Sequence, residues 1–141
     1  EDINPRGFHC WPENRRMTSM MSPSLLVLGG GQKNSASVVL GSGGSNRIRT
    51  AILQVISNIV DFGMTPEQAV CAPRIHYENN LLNIESGFKE SVLDVLSREY
   101  TQQERWQERN LFFGGVHTVE YDGRSFHGVG DPRRDGMGIV V

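Results

Sequence analysis

Residues 40–48 of this chain read LGSGGSNRI, and they join a short aliphatic run to a segment with helical periodicity. Before them, residues 24–28 and 38–40 are aliphatic and partly β-branched, which is typical of buried strands. After them, apolar side chains recur at helical spacing from Ile48 to Val60, and Gly63 follows as an expected left-handed cap. The pattern predicts a β-hairpin, a glycine-rich turn and a long, largely buried helix.

The next segment predicts a short helix and a pair of strands. Thr65 is a good N-cap, Pro66 suits the first helical position and Gln68 completes a capping box, so a helix is expected to begin here. Residues 74–77 and 81–85 have the composition of short strands.

The last third of the chain predicts one more helix and one more hairpin. We expect Ser86 to cap a helix with apolar residues such as Phe88 and Leu93 on its inner side. The charged residues 99–110 predict an exposed connection or helix end. Residues 111–121 and 124–129 flank the dipeptide Asp122-Gly123, a signal for a two-residue hairpin loop.

Two hairpins with helices between them favour the α+β class, with sheets packed against helices. A length of 141 residues suits a single core. We therefore expect one domain over residues 1–141, in which residues 1–23 have loop composition and residues 24–141 form the α+β core.

The composition argues against two classes of partner. The chain has 14 Lys and Arg against 16 Asp and Glu, a net charge of −2, so it offers no basic field for a nucleic-acid backbone. Its longest aliphatic run, residues 25–28, is far too short for a membrane span. The two cysteines do not indicate a compartment.

The glycine-rich turn is the first candidate site, because a strand that runs through it into a helix aims unpaired backbone N–H groups at one point. Such a nest binds an anion or a developing oxyanion. The turn lacks the spacing of a P-loop, and Asn46 stands where a dinucleotide-binding turn has its third glycine. A tight turn that simply needs positive φ is the alternative.

Other polar residues give weaker signals. The hydroxyl-rich residues 17–23 offer donors to a ligand or, alternatively, local turn bonds. Asp2 and the segment 131–133, Asp-Pro-Arg, are isolated charges of the kind that is usually solvated or structural. Three histidines on expected strands show no zinc-ligand spacing, so we expect no metal and no cofactor; they are His76, His117 and His127.

Seven short strings resemble, in order and spacing, the C-terminal part of the small subunit of gamma-glutamyltranspeptidases. The strings are SMMSP (19–23), LGSGGSNRI (40–48), LQV (53–55), DFGM (61–64), EQAV (67–70), APRIH (72–76) and GDPR (130–133). The resemblance implies an N-terminal nucleophile hydrolase fold, an αββα sandwich of antiparallel sheets between helical layers. It also implies a self-cleaving precursor whose new N-terminal threonine attacks a γ-glutamyl amide such as glutathione.

The resemblance also implies roles for single residues. Gly43 and Gly44 match the pair whose backbone N–H groups form the oxyanion hole, and residues 1–23 match an active-site loop. Asp2 matches the aspartate that holds the substrate α-amino group, and Ser19 matches the first of two serines that bind the α-carboxylate. Met20 stands in place of the second serine and cannot donate to a carboxylate, which favours a related γ-glutamyl or acyl amide over glutathione.

The family's nucleophile segment would lie upstream of Glu1, so the resemblance implies that these 141 residues are inactive alone. The implied partners are a small γ-glutamyl substrate and the remainder of the same precursor, and an isolated fragment would expose apolar faces that favour a homodimer. Family members are often periplasmic or secreted. A non-catalytic module that binds an anion or carboxylate at Gly43-Gly44, a structural domain, and an amidase or acylase with another substrate stay open.

Overall fold

A computed structural model describes residues 13–16, 19–29 and 36–139 of the chain. These residues form seven strands, three α-helices and two 3₁₀ helices. In chain order they are β1 (Ser24–Val27), β2 (Ser37–Gly43), α1 (Arg47–Val60), α2 (Pro66–Cys71), β3 (Ile75–Glu78), β4 (Leu81–Ile84), α3 (Glu90–Glu99), β5 (Gln103–Arg105), a 3₁₀ helix (Leu111–Phe113), β6 (Gly115–Tyr121), β7 (Phe126–Val129) and a 3₁₀ helix (Pro132–Arg134).

The main sheet is antiparallel throughout, in the order β1-β2-β6-β7. Val38 and Leu40 of β2 point to the face that α1 and α2 cover, because side chains alternate along a strand. The buried cluster between the sheet and these helices consists of Val38, Leu40, Ile48, Ala51, Ile52, Val55, Ile59, Ala69, Val70 and Val116. The predicted α+β class, with a sheet packed against helices, is confirmed.

The opposite face of the main sheet is apolar and exposed. Leu25, Val39 and Val119 lie in one row across three strands, and Tyr121 and Phe126 pair in the next row. Val39 is 53% exposed and Phe126 is 62% exposed. The described residues therefore cover only one side of this sheet.

The local signals of the first half are confirmed, with one exception at the end of α1. Strands β1 and β2 form the predicted hairpin, and α1 follows the glycine turn. Gly63 is left-handed as predicted, with φ +64°, but it is not the cap: α1 ends at Val60, and its C-cap is Asp61. Thr65 Oγ1 accepts from the N–H of Gln68, and the Gln68 side chain accepts from the N–H of Thr65, so α2 has the predicted capping box.

The prediction for the third helix is wrong in two respects. Its N-cap is Lys89, not Ser86, because Gly87 has φ +110° and keeps the preceding residues in a turn. It has no buried face: no residue of α3 is buried, and Val95 is 56% exposed. Only Leu93 and Leu96 of its apolar stripe are partly buried, and the amphipathic pattern by itself does not show how much of a helix face is covered.

Residues 99–110 are not simply an exposed connection. They contain β5, which joins β3 and β4 in a second sheet and runs parallel to β4. Trp106 then stacks on Phe112 at 4.9 Å between ring centroids and donates from its indole to Asn83. The charged composition did not predict this strand, because strands pair through backbone hydrogen bonds, which charged residues also form.

The last hairpin differs in detail from the prediction. Tyr121 pairs with Phe126, so the loop has four residues instead of two, and the Asp122 carboxylate accepts from the N–H groups of Arg124 and Ser125. Residues 111–113 form a 3₁₀ helix, and β6 begins only at Gly115. Among the described helices, none has the length and hydropathy that a bilayer span requires.

Candidate functional site

The turn between β2 and α1 reverses the chain over three residues. Strand β2 ends at Gly43, Gly44 has φ +129° and Ser45 has φ +53°, and the N–H of Arg47 donates to the carbonyl of Gly44 at 3.1 Å. Residues with a side chain rarely adopt the backbone conformation of Gly44, so this position requires glycine. The predicted sequence of strand, glycine turn and helix is confirmed.

Backbone donors are free at this turn. Within the described part of the chain, the N–H groups of Gly44, Ser45 and Asn46 donate to no acceptor. The Asn46 side chain makes no capping bond to α1: its Nδ2 donates to Glu78 at 2.7 Å, and its Oδ1 accepts from no group in the described part of the chain. The first turn of α1 contains no acidic residue either. Orphan donors at the positive end of a 14-residue helix favour an anion.

A second pair of glycines faces the turn from β6. Gly43 pairs with Gly115, and a Cβ on Gly44 would lie 3.3 Å from the Cα of Gly114. A Cβ on Gly114 would lie 3.2 Å from the carbonyl oxygen of Gly43. The two backbones approach so closely that a side chain at Gly44 or Gly114 has no room. Sequence reasoning did not single out Gly114 and Gly115, although a Gly-Gly pair before a strand is a signal for close backbone approach.

The side chain of Arg134 lies along this four-glycine corner. A Cβ on Gly115 would lie 2.7 Å from the Cγ and Cδ atoms of Arg134, so the aliphatic stem crosses directly over Gly115. The guanidinium is at the turn: a Cβ on Gly43 would lie 3.8 Å from its Cζ, and one on Gly44 would lie 3.4 Å from its Nη2. Sequence reasoning did not select this residue.

Behind the corner, two arginines and two carboxylates form a buried network with no net charge. Arg74 Nη2 donates to Asp131 Oδ2 at 2.7 Å, and Arg133 Nε donates to Glu85 Oε1 at 2.8 Å. Arg133 Nη1 joins the two pairs through a 3.2 Å contact with Asp131 Oδ1. All four residues are buried. Of the two roles expected for Asp131 and Arg133, solvated charge or structural charge, the structural role is therefore the correct one.

The network also holds the backbone on both sides of the second glycine pair. Arg74 Nη1 donates to the carbonyl of Phe113 at 3.3 Å, and Asp131 Oδ2 accepts from the N–H of Val116 at 2.8 Å. Since Phe113 and Val116 flank Gly114 and Gly115, these bonds fix the position of that pair relative to the turn. The network therefore positions the candidate site and lies outside it.

The network shifts the pKa of its members. Burial alone would raise the pKa of Asp131, but the charge of Arg74 and the N–H donors of Arg133 and Val116 outweigh it and hold the pKa below its ordinary value. Burial lowers the pKa of Arg74, and for Arg133 the hydrogen bond to Glu85 outweighs burial and raises the pKa. Both arginines stay charged at neutral pH.

The remaining candidates fall in different places. Ser19 is exposed, and its Oγ accepts from the N–H of Met21 at 3.1 Å, which is local turn chemistry. Met20 is partly buried and packs against the core cluster. Asp2 lies outside the described residues, as does most of the 1–23 segment.

One histidine is linked to the turn and two are not: His76 Nε2 lies 3.4 Å from Glu78, whose carboxylate accepts from Asn46 of the turn. His76 is buried, with Nδ1 2.9 Å from Thr50 Oγ1, while His117 and His127 are exposed. His117 Nδ1 accepts from the N–H of Asp131 at 3.3 Å. Within residues 13–16, 19–29 and 36–139, no group of three or more His, Cys, Asp or Glu side chains is arranged to hold a metal ion.

Comparison with known proteins places this geometry in context. The gamma-glutamyltranspeptidase family model matches residues 1–141. A glutathione hydrolase proenzyme of Pseudomonas aeruginosa is 30% identical over 131 residues, which is 90% of this chain and 22% of that protein. The chain therefore spans about a fifth of the length of this curated relative.

Two solved structures share the fold. The gamma-glutamyltranspeptidase of Pseudomonas nitroreducens in complex with L-DON matches with a TM-score of 0.75 and 31% identity, over 93% of this chain and 67% of that one. The CapD transpeptidase of Bacillus anthracis matches with a TM-score of 0.73 and 25% identity, over 89% and 72% of the two chains.

Proposed function

Because the chain belongs to the gamma-glutamyltranspeptidase family, we propose that it is part of a self-processing γ-glutamyltransferase or hydrolase. In this proposal the chain supplies the oxyanion hole and part of the glutamate pocket. The nucleophilic threonine and the rest of the fold come from the remainder of the same precursor, and the 141 residues alone are inactive.

The observation that carries the proposal is the set of unused N–H donors at the turn between β2 and α1. Acyl transfer needs donors aimed at an oxygen that becomes negative in the transition state, and such donors typically contribute a factor of about 10² to 10³ in kcat. The turn offers backbone donors at a helix N-terminus, with glycines on both sides that leave space for a substrate carbonyl.

The proposed reaction has two steps. The threonine hydroxyl attacks the γ-glutamyl carbonyl, and the threonine's own amino group takes its proton. The oxyanion forms against the N–H groups of Gly43 and Gly44; the N–H of Gly44 is one of the unused donors of the turn, and Gly43 is the last residue of β2, paired with Gly115. Collapse of the oxyanion expels the amine leaving group, which receives the proton. Water or the amino group of an acceptor then attacks the acyl-enzyme through a second oxyanion in the same place.

Recognition of the glutamate moiety is proposed for the segment before β1. Asp2 would hold the α-amino group and Ser19 would bind the α-carboxylate. Met20 packs against the core cluster and offers no hydrogen-bond donor, so the carboxylate has one hydroxyl fewer at this point than in the family pattern. This difference favours a γ-glutamyl or acyl amide other than glutathione as the donor.

The exposed apolar face of the main sheet supports a partner from the same precursor. The relative from Pseudomonas aeruginosa is a proenzyme much longer than this chain. We propose that the remainder of this chain's own precursor adds a further sheet, which packs over Leu25, Val39 and Val119 and completes the sandwich. In this arrangement residues 1–141 are one domain, with residues 1–23 as an active-site loop before the α+β core of residues 24–141.

The test is to express the complete gene and to measure the intact mass, the N-terminal sequences and the turnover of γ-glutamyl-p-nitroanilide. Two chains, of which the shorter begins with threonine, and turnover by the pair are the expected result. A cleaved pair without turnover of this donor would indicate another amide substrate. A single uncleaved chain would contradict the proposal and favour the non-catalytic module that binds an anion at the same turn.

A further inference from the structure

A polar stripe of α1 and its N-cap lies along β3. Its three members are four positions apart, which places them on one side of the helix: Asn46, Thr50 and Gln54. The Gln54 side chain donates to the carbonyl of Ile75 and accepts from the N–H of Ile75, each at 2.9 Å. Thr50 Oγ1 lies 2.9 Å from Nδ1 of the buried His76. These bonds hold the first half of α1 against β3.

The first contact of the stripe reaches the glycine turn itself. Asn46 Nδ2 donates to Glu78 Oε1 at 2.7 Å. Four residues of a helix rise about 6 Å and two residues of a strand rise about 6.7 Å, so helix and strand contacts stay in register over this distance. Asn46 therefore meets Glu78 when Thr50 meets His76, and the stripe fixes the start of α1 as well as its middle.

The turn has a conformation that needs support from outside. Gly44 has φ +129°, and Ser45 has φ +53° although it carries a side chain. A residue with a side chain keeps such a conformation only where the surrounding structure holds it. Asn46 follows directly with φ −58° and ψ −26°, whereas an N-cap is ordinarily extended and turns its side chain to the helix. Its side chain instead reaches Glu78, 32 positions away, and so ties the turn to β3.

Glu78 is a suitable anchor because both of its carboxylate oxygens face a donor. Oε1 accepts from Asn46, and Oε2 lies 3.4 Å from His76 Nε2. A carboxylate oxygen only accepts, so Nε2 is the nitrogen that carries hydrogen in this contact. The His76 ring is itself held by Thr50 and by an edge-to-face contact with Phe112, with 6.0 Å between ring centroids. The carboxylate is therefore directed at Asn46 by a buried neighbour.

We propose that Glu78 is a positioning residue, which through Asn46 holds the free N–H groups of the turn where the oxyanion forms. This inference rests on the proposed function. In this role Glu78 needs no contact with the substrate, because it acts through the residue that carries one of the free N–H groups. A displaced turn stabilises the oxyanion less but leaves ground-state binding of the substrate unchanged, so the effect belongs to the chemical steps.

The experiment compares the protein from the complete gene with Glu78→Ala, Asn46→Ala and the double variant. Glu78→Gln is the conservative variant, since it keeps an acceptor oxygen for Asn46. Tyr77→Phe is the matched control, because it removes a neighbouring hydrogen bond on β3, from the exposed Tyr77 hydroxyl to Asn80. The kinetic arm measures kcat and KM on γ-glutamyl-p-nitroanilide, with rates referred to the amount of mature protein.

The expected kinetic result is a loss of kcat without a change of KM. Glu78→Ala and Asn46→Ala should each lower kcat by about tenfold or more, because misplaced donors stabilise the oxyanion less. KM should stay within about twofold, since both steps of the reaction form the oxyanion in the same place and slow together. The double variant should lose about as much as either single variant, because both remove the same bond. Glu78→Gln should keep most of the rate, and Tyr77→Phe should keep all of it.

Hydrogen exchange measured by mass spectrometry tests the turn without any turnover. The N–H groups of Arg47 and Ile48 donate to the carbonyls of Gly44 and Ser45, so their exchange reports whether the turn is closed. Deuterium uptake of residues 43–52 is compared with that of α2 in the same sample. We expect it to rise in the alanine variants and to stay at the parent value in the conservative variant and the control.

Several results would overturn the inference. Parent rates in the alanine variants, or unchanged deuterium uptake at the turn, would mean that Glu78 does not hold the donors. Losses that multiply in the double variant would mean that the two residues act separately, and a raised KM at parent kcat would assign them to substrate binding. If the parent neither cleaves itself nor turns over the donor, the proposed function fails. Deuterium uptake then still decides whether Glu78 and Asn46 hold the turn, which separates the two failures.

Discussion

Gly43 and Gly44 are adjacent, yet a side chain would meet different surroundings at each. At Gly44 the φ of +129° strains any L-residue, and the Cα of Gly114 is close to the Cβ position. At Gly43 the backbone is ordinary, and the nearest atoms to the Cβ position belong to the guanidinium of Arg134 at 3.8 Å or more. Gly44 is therefore needed by the fold, whereas Gly43 faces the space that we assign to substrate.

The Gly43→Ala variant separates these two needs. We expect the thermal unfolding midpoint to stay within a few degrees of the parent's, because the methyl group meets only ordinary van der Waals contacts. We expect kcat on γ-glutamyl-p-nitroanilide to fall by about 10- to 100-fold, because the methyl group enters the proposed oxyanion hole.

Gly41→Ala is the matched control, since it lies on the same strand and its Cβ position has no atom within 4 Å. It should leave both the unfolding midpoint and kcat near the parent values. Equal activity in Gly43→Ala and Gly41→Ala would argue against an oxyanion hole at this turn and for glycines that serve only the fold.

Asp131 makes the free energy of unfolding decrease at low pH. Its pKa in the folded protein lies below the ordinary carboxyl value, mainly because Arg74 and two N–H donors outweigh its burial. Its stabilising contribution is therefore complete above about pH 4, the ordinary range of the unfolded carboxyl, and is lost as the pH falls through the lower folded pKa. We expect the free energy of unfolding to decrease in that window, as measured by urea titration between pH 6 and pH 3.

The Asp131→Asn variant tests the assignment. At pH 6 it should lose about 3–5 kcal/mol, because Arg74 is left buried without its counter-charge. The gap between parent and variant should narrow as the parent's carboxyl becomes protonated, while Asp94→Asn, on the exposed α3, should show little change. A gap that stays constant down to pH 3 would assign the acid sensitivity to other groups.

At the scale of elements, the complete capping box was more informative than a single cap residue, such as Ser86, or an apolar stripe. The capping box of α2 was visible in the sequence and is present in the structure. The apolar stripe of α3 was visible too, but no residue of that helix is buried. A cap is completed by residues within the same turn, whereas a stripe is buried only if another element covers it.

Thr65 gives a prediction at this scale. Thr65→Ala removes the acceptor for the N–H of Gln68 and should lower the free energy of unfolding by about 1 kcal/mol, which is a few degrees in the thermal midpoint. Thr65→Ser keeps the hydroxyl and should stay close to the parent. If calorimetry finds both variants equally destabilised, the loss comes from the methyl group and the cap is not the cause.

For the whole molecule, the main sheet has two faces with different neighbours. One is covered by α1 and α2, and the other exposes a row of apolar side chains from β1, β2 and β6. Contiguous exposed apolar surface of this kind marks an interface. In the complete precursor we expect a further sheet to cover this face. In the isolated 141 residues we expect the same face to drive self-association.

The isolated chain should therefore form dimers or larger species in solution, as measured by light scattering coupled to size exclusion. Val39→Lys should shift it toward the monomer, because the charge would be desolvated at the interface. Leu53→Lys on the exposed side of α1 is the control and should have no such effect. A monomeric parent at working concentration would contradict the prediction.

The sequence by itself determined the elements from β1 to β4, including the glycine turn, the left-handed Gly63 after α1 and the capping box at Thr65. These features depend on residues close together in the chain, where alternation, helical spacing and turn chemistry act directly. Six of the seven strings that resemble the gamma-glutamyltranspeptidases also lie in this part of the chain, between residues 19 and 76, which is why the family was recognisable before any coordinates.

Only the tertiary structure decided how the corner around the turn is built. Arg74 and Asp131 are 57 positions apart, and nothing local marks them as partners. The approach of Gly115 to Gly43, the pairing of β5 with β4 and the position of Arg134 likewise depend on which segments the sheets bring together. Packing of distant segments selects such contacts, and a single sequence records the residues without recording their partners.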